Sequence, residues 1–474
     1  MRILFSYREA LAKPKKGFPF ARRRRRISFL LRSKLSAVTA SPFAKEKSFG
    51  RQLPARNSSS RPSPTASCRN FAQFWEQNIR HLEKTRNNFG HTVSRSSKVL
   101  QYLATGLLIS LLTTLSAQNS LEFDGQLSLI SSYSPDNELS GFVGGRYIPE
   151  LSYKVPIDTN RFVDFEASAN ISGSTLFHPF DSVMNDGVIS PYRIWARYSS
   201  KQFELRVGLQ KIDFGSATLL RPIQWFNQID PRDPLQLTNG VYGALGRYYF
   251  LNNANIWVWA LYGNEKTRGF DAIQTNKKVP EIGGRVQYPV SKGEIALSYH
   301  HRTANSTHLD FLPQYEKIPE HRVGIDGKFD LKVGLWFEAT HSYKTQALGQ
   351  FTHQSLLNVG TDYTFGLGNG INVIAEHLLV SYDENAFDFG QTANITALTA
   401  SYPLSFFDNL STVLYYSWAT EDFAFFLNYS HQFKHFMGYF MLYYNPDAQI
   451  GVQQNDFVNN FSGPGFRIML VYNH

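Results

Sequence analysis

Phe203-Glu-Leu-Arg-Val-Gly-Leu-Gln210 alternates strictly: Phe203, Leu205, Val207 and Leu209 are apolar, and Glu204, Arg206 and Gln210 lie between them. Period two marks a strand with one apolar and one polar face. The chain then drops the period for a turn-rich segment, Ser216-Ala-Thr-Leu-Leu-Arg-Pro-Ile-Gln-Trp-Phe-Asn-Gln-Ile-Asp-Pro-Arg-Asp-Pro234, that runs on to Gly240. A strand pattern returns over 241–251. Pro222, Pro231 and Pro234 fix φ and remove donors, so this connection has turn chemistry without strand or helix period. An unusually long connection between two short strands is normally functional.

The same alternation recurs on both sides of this stretch. Val163, Phe165, Ala167, Ala169 and Ile171 alternate with Asp164, Glu166, Ser168, Asn170 and Ser172; Leu357, Val359, Thr361, Tyr363 and Phe365 alternate with Asn358, Gly360, Asp362 and Thr364. Strands are expected at 121–133, 140–153, 162–173, 190–199, 202–212, 241–251, 254–263, 281–290, 293–302, 320–329, 332–345, 352–366, 370–383, 391–404, 409–418, 422–433, 435–445 and 463–474. Tight links (Ser200-Lys201, Asn252-Asn253, Ser291-Lys292, Asp330-Leu331, Lys434) alternate with long ones (174–189, 213–240, 264–280, 303–319, 446–462), with 419–421 as an exception. Tyrosines cluster at strand ends, among them Tyr147, Tyr192, Tyr248, Tyr343, Tyr382 and Tyr443. A soluble sandwich also alternates, but short turns at one end, long loops at the other and aromatic girdles belong to a membrane barrel. The fold expected is all-β: a transmembrane antiparallel β-barrel of about 16–18 strands, polar residues inward, with both ends of the mature chain on the short-turn, periplasmic side.

The formal charge of +10 does not belong to that body. Residues 1–117 hold 23 of the 48 Lys and Arg but four of the 38 Asp and Glu, so 118–474 carries 25 bases against 34 acids. The basic balance is therefore no sign of nucleic-acid binding. Residues 1–97 are rich in Arg, Ser and Pro and have no sustained period, as a disordered basic leader does. A start site set too far upstream is preferred to a true targeting extension, because residues 98–117 read as a secretory signal peptide: Arg95 and Lys98, an apolar core over 103–115, then Ser116-Ala117. The body, 118–474, has no cysteine, the single one being Cys68. No cofactor and no metal site are expected; His300 and His301 are sequence neighbours and so point to opposite faces of a strand.

From Val207-Gly-Leu-Gln210 through Phe214-Gly215, and at Asp230-Pro-Arg-Asp233, the body resembles Gram-negative outer-membrane porins, in particular the phosphate-selective and alginate-export-like families; links such as Leu251-Asn-Asn253 resemble Bacteroidetes barrels. The last residue, His474, departs from the terminal Phe of many proteobacterial porins. The resemblance implies an outer-membrane location, contact with outer-membrane lipid, small polar solutes as cargo, and a homotrimer as one assembly open to it. It also implies that the connection after the fifth strand enters the lumen as a constriction.

On that reading the inward charges are the candidate site. Arg193, Arg197 and Arg206 would form a basic ladder, with Asp164 and Glu166 as an acidic patch beside it. Asp230, Arg232 and Asp233 would face them from the 213–240 loop and set a transverse field; the alternative is that all are ion pairs satisfying one another. Trp225 and Phe226 would pack on the wall, or stack on a sugar ring. Two other functions compete: a plugged, non-transporting barrel for structure or docking, and an outer-membrane lipid hydrolase. Against the last, Ser342 beside His341 and Ser430 beside His431 point to opposite faces.

Overall fold

The computed structural model describes residues 120–178, 182–227, 229–446 and 462–474. The expected leader and signal peptide, 1–97 and 98–117, lie outside the described residues.

The strands are β1 (Ser120–Tyr133), β2 (Gly141–Asp158), β3 (Arg161–Phe177), β4 (Val183–Ser199), β5 (Phe203–Gln210), β6 (Val241–Tyr249), β7 (Asn255–Leu261), β8 (Gln274–Thr275), β9 (Glu281–Val290), β10 (Gly293–Asn305), β11 (Ile318–Asp330), β12 (Gly334–Lys344), β13 (His353–Phe365), β14 (Ile371–Asp383), β15 (Thr392–Pro403), β16 (Asp408–Ser417), β17 (Asp422–Gln432), β18 (Phe436–Asn445) and β19 (Gly463–Asn473). Each wall strand pairs antiparallel with the next, and β7 pairs directly with β9. β8 pairs only with the end of β10, inside the 262–280 connection, and was not expected. The remaining eighteen close into a barrel through β1 and β19, in register from Gln126↔Asn473 to Tyr133↔Phe466. Closure leaves no unpaired sheet edge, which a lipid environment requires.

Connections at one end stay short: 159–160, 200–202, 291–292, 331–333, 433–435. At the other end stand 211–240, 262–280, 306–317 and 446–462. One expected long loop is absent. Most of 174–189 is strand: β3 and β4 run on as a hairpin, paired from Ser172↔Val188 to Phe177↔Val183. A strand of 17 residues exceeds the ~9–11 that cross a bilayer; β2, with 18, runs beside β3 to its end at Gly141↔Phe177, whereas β5 pairs with β4 from Ile194 to Ser199 alone. Its Ser172-Gly-Ser-Thr175 and Asn185-Asp-Gly187 lack apolar–polar alternation, which hides the strand from its sequence.

The two faces of the wall differ. Outward residues such as Leu129, Val207, Val323, Val359, Phe440 and Leu470 are exposed and apolar. The inward face of β3 to β5 and of β9 to β12 is mostly charged and polar, as expected, while β6 and β7 turn Val241, Leu245, Trp259 and Leu261 inward. The inward face of β14 to β19 is not: Leu378, Val380, Ile395, Val413, Tyr415, Phe426, Met441, Met469 and Val471 are buried in one cluster with Leu219 and Leu220 of the 211–240 connection. Tyr382 and Tyr443, expected in the girdles, belong to this inner cluster.

Candidate functional site

The site is the 211–240 segment and the wall it meets. Leaving β5, the chain turns at Gly215, whose φ of +108° suits glycine and whose missing Cβ leaves room for the Glu338 carboxylate. The segment then runs against inward carboxylates of distant strands. Ser216 Oγ donates to Asp326 Oδ2 at 3.0 Å. Glu338 on β12 accepts from the backbone N–H of Ala217 at 2.7 Å and of Ile223 at 3.1 Å. Glu376 on β14 accepts from three successive amides, Thr218 at 2.6 Å, Leu219 at 3.1 Å and Leu220 at 2.5 Å. Trp336 Nε1 and Asn358 Nδ2 also donate to Glu376, at 3.0 and 3.1 Å. Trp336 reaches it because Gly360, on the strand between them, has no side chain to block the indole. Asn358 closes the arrangement by donating to the Leu220 carbonyl at 2.7 Å.

These carboxylates are buried, and a buried carboxylate is tolerable only when its lone pairs are filled. Here the loop fills them with N–H groups that a turn-rich segment would otherwise leave without partners. Beyond Ile223 the anchor becomes aromatic. Trp225 and Phe226 join Phe214, Ile212, Val241, Leu245, Trp259 and Leu261 in a second buried cluster. Phe226 meets the Trp259 ring edge-on at 5.4 Å and His300 at 5.1 Å, and Trp225 stacks on His300 at 6.0 Å. The pair therefore lies against β7 and β10.

The next link is polar. Arg232 donates to both oxygens of Asp230, at 3.1 and 3.0 Å, and to Asn445 Oδ1 on β18 at 2.9 Å. Both ion-pair partners are buried. Asp233 caps its own turn, accepting from the Leu235 amide at 3.0 Å. Asp230, Arg232 and Asp233 thus form bonds within the loop and to β18, as buried charges must find partners.

Arg193 departs from the ladder. Its Nη2 donates to the carbonyl and hydroxyl of Thr238, at 3.0 and 2.8 Å, pinning the end of the segment before Gly240. Arg197 and Arg206 are direct cross-strand partners, yet like charges do not stand alone there. Asp164 takes Arg197 through two bonds, and Glu204 lies 3.6, 3.4 and 3.4 Å from Arg197, Arg206 and Arg247. Asp164 pairs with Arg197, and Glu166 sits opposite Trp195 and accepts from Ser168 Oγ. The result is a linked row, Asp164 on Arg197 and Glu204 shared by Arg197, Arg206 and Arg247, part-exposed to water. Trp195 lies under the Arg197 and Arg206 guanidiniums and Trp257 under Arg247.

The 262–280 connection enters in the same way. Asp271 accepts from Arg302 at 2.8 Å and Arg322 at 2.5 Å, and Arg268 pairs with Glu281 at 2.5 Å. His341 does meet a serine, across strands: its Nδ1 lies 2.9 Å from Ser355 Oγ on the outward face. That serine is buried, and the other ring nitrogen faces His353 and no carboxylate, so the pair lacks an orienting acid.

Sequence reasoning missed Glu338, Glu376, Asp326, Asn358 and Arg247. Alternation alone assigns Glu338, between Phe337 and Ala339, to the inward face. No local signal tells which distant amides it holds.

No family model and no curated protein matches the chain. Among solved structures it is similar to Acinetobacter baumannii OccAB1, with 10% identity and a TM-score of 0.46 over 75% of this chain and 96% of that one. It is similar to Pseudomonas aeruginosa OccK5, with 10% identity and a TM-score of 0.45 over 75% and 97%. A third is the anion-selective porin from Comamonas acidovorans, with 14% identity and a TM-score of 0.41 over 75% and 100%. At such identities and scores the likeness carries nothing about activity.

Proposed function

We propose that this chain is an outer-membrane channel through which small polar or charged solutes diffuse passively, narrowed by the 211–240 segment. The observation that carries the reading is the set of main-chain bonds tying 217–223 to Glu338 and Glu376 inside a closed barrel with an apolar outer face. A segment held there would restrict the bore, and the part-exposed charges of Asp164, Arg197, Glu204, Arg206 and Arg247 would sort solutes. Lys98–Ala117 would direct export and be removed. The host would be a Gram-negative cell of Bacteroidetes type, the relatives phosphate-selective and alginate-export-like porins, and the assembly a homotrimer in outer-membrane lipid. Purified barrel in a planar bilayer should give stepwise conductance, with a zero-current potential set by the Arg197–Arg247 row.

A second reading is favoured by the near-complete burial of Arg302, Glu320, His300, Glu338 and Asn358 on the inward face: a plugged barrel that serves structure or docking. Absence of conductance from folded, inserted protein would establish it and sink the channel.

A further inference from the structure

Four histidines stand on the outward face of four successive strands, close to the long-loop end: His301 on β10, His321 on β11, His341 on β12 and His353 on β13. His301 and His321 are direct cross-strand partners with ring centroids 4.6 Å apart. The second pair is more closely defined. His341 is opposite Ser355 and His353 opposite Tyr343, so the two histidines are diagonal neighbours on one face, within reach of each other. His341 Nε2 and His353 Nδ1 are 3.3 Å apart.

Three observations bear on what that pair can do. Ser355 Oγ lies 2.9 Å from His341 Nδ1; in the tautomer whose Nδ1 proton it accepts, Nε2 carries the lone pair and faces His353 Nδ1. Ser355 is then the outer partner that metal-ligating imidazoles have. Next, two imidazole nitrogens bound to one ion at about 2.0–2.1 Å lie about 3.3 Å apart in a tetrahedral site and about 2.8 Å apart in a square-planar one; the 3.3 Å here meets the first as it stands and the second after a closure of about 0.5 Å. Finally, both rings are clamped. Tyr343 stacks on His353 at 4.9 Å and Phe387 on His341 at 4.3 Å. Phe387 comes from the 384–391 connection with a φ of +57°, a conformation bulky residues hold only under constraint.

We infer that His341 Nε2 and His353 Nδ1 form a two-point chelate for a divalent late transition-metal ion on the outer surface of the barrel, with water completing the coordination. Two neutral imidazoles select Cu2+ over Ni2+ and Zn2+, and exclude the oxygen-seeking Mg2+ and Ca2+. Among the described residues no group of three or more His, Cys, Asp or Glu could hold a metal, so the protein supplies two ligands and the ion exchanges with solution. The ion would staple β12 to β13 beneath the 345–352 connection. The site does not depend on what the lumen carries. Adjacent histidines such as 300 and 301 cannot chelate, but diagonal ones across a strand pair can.

The test uses the folded full-length barrel in detergent, titrated with Cu2+ and read by electron paramagnetic resonance, in a His301→Ala/His321→Ala background that removes the other pair. Heat-modifiable gel mobility verifies folding of each variant. The expected result is one Cu2+ per chain with hyperfine coupling to two nitrogens, competed by Zn2+ but not by Mg2+. His353→Ala should abolish the two-nitrogen signal, and Ser355→Ala should weaken binding about tenfold while keeping it. A Cu2+ titration unchanged by His341→Ala/His353→Ala, or a signal without nitrogen coupling, would overturn the site and leave the pair as a hydrogen bond within the aromatic girdle.

Discussion

Glu376→Ala should release the middle of the 211–240 segment while the barrel stays closed. The carboxylate accepts from Thr218, Leu219 and Leu220 amides and from the Trp336 and Asn358 side chains. Each buried donor left without an acceptor costs about 1–3 kcal/mol. Three amides stranded together give about 3–9 kcal/mol before relaxation. Much of that is recovered when the segment swings to water, so the lower end is the better guide. About 3 kcal/mol corresponds to a shift of roughly a hundredfold between docked and released forms. Hydrogen exchange reads this directly: amides of Thr218, Leu219 and Leu220 should exchange about a hundred times faster in Glu376→Ala, with protection on β13 and β15 unchanged. Glu376→Gln keeps one acceptor oxygen and should fall between. In a bilayer the same variant should show larger or noisier steps. Unchanged exchange at 218–220 would refute the proposition that this carboxylate holds the segment, whatever the channel does.

Other outcomes follow from the same geometry. Gly215→Ala places a Cβ against Glu338 Oε1 at a φ of +108°; about 1–3 kcal/mol of strain should expose the segment to limited proteolysis. Arg285→Met leaves Asp326 buried beside Ser216 and should lower the thermal midpoint by the equivalent of about 3–5 kcal/mol, while Arg285→Met/Asp326→Leu should recover most of it. Val359→Lys, on the outward face in mid-strand, should cost about 2–4 kcal/mol in denaturant titrations from lipid vesicles; no cost would contradict a lipid-facing wall. Arg206→Glu places a second acid beside Glu204 and should move the zero-current potential toward cation preference.

The wall was legible in the sequence because lipid imposes a rule on every crossing strand. One face must be apolar, so Phe203 to Gln210 and Leu357 to Phe365 announce their period without help from distant residues. The β3–β4 hairpin was missed where 172–175 and 185–187 carry no alternation. The inward face obeys no comparable rule. Val413, Phe426 and Met469 could be apolar there because Leu219, Leu220 and other in-folded residues complete the same cluster, a fact no window of sequence contains. Charges were legible as inward but not as pairs. Arg193, Arg197 and Arg206 read alike in sequence; one holds Thr238, and the others share Asp164 and Glu204.

Glu338 and Glu376 grip main chain. Every amino acid except proline brings the same N–H to positions 217–220 and 223, so the grip itself does not read side chains. At Thr218, the exposed member, such a mount lets the residue be rewritten while its seat stays put; Leu219, Leu220 and Ile223 are held besides by the apolar clusters they complete. The fixed cost falls on two glutamates, Gly215 and the bare backbone of Gly360. Surveyed across diverging copies of this barrel, variety should appear at 218, and constancy at the two glutamates and at the apolar character of 219, 220 and 223.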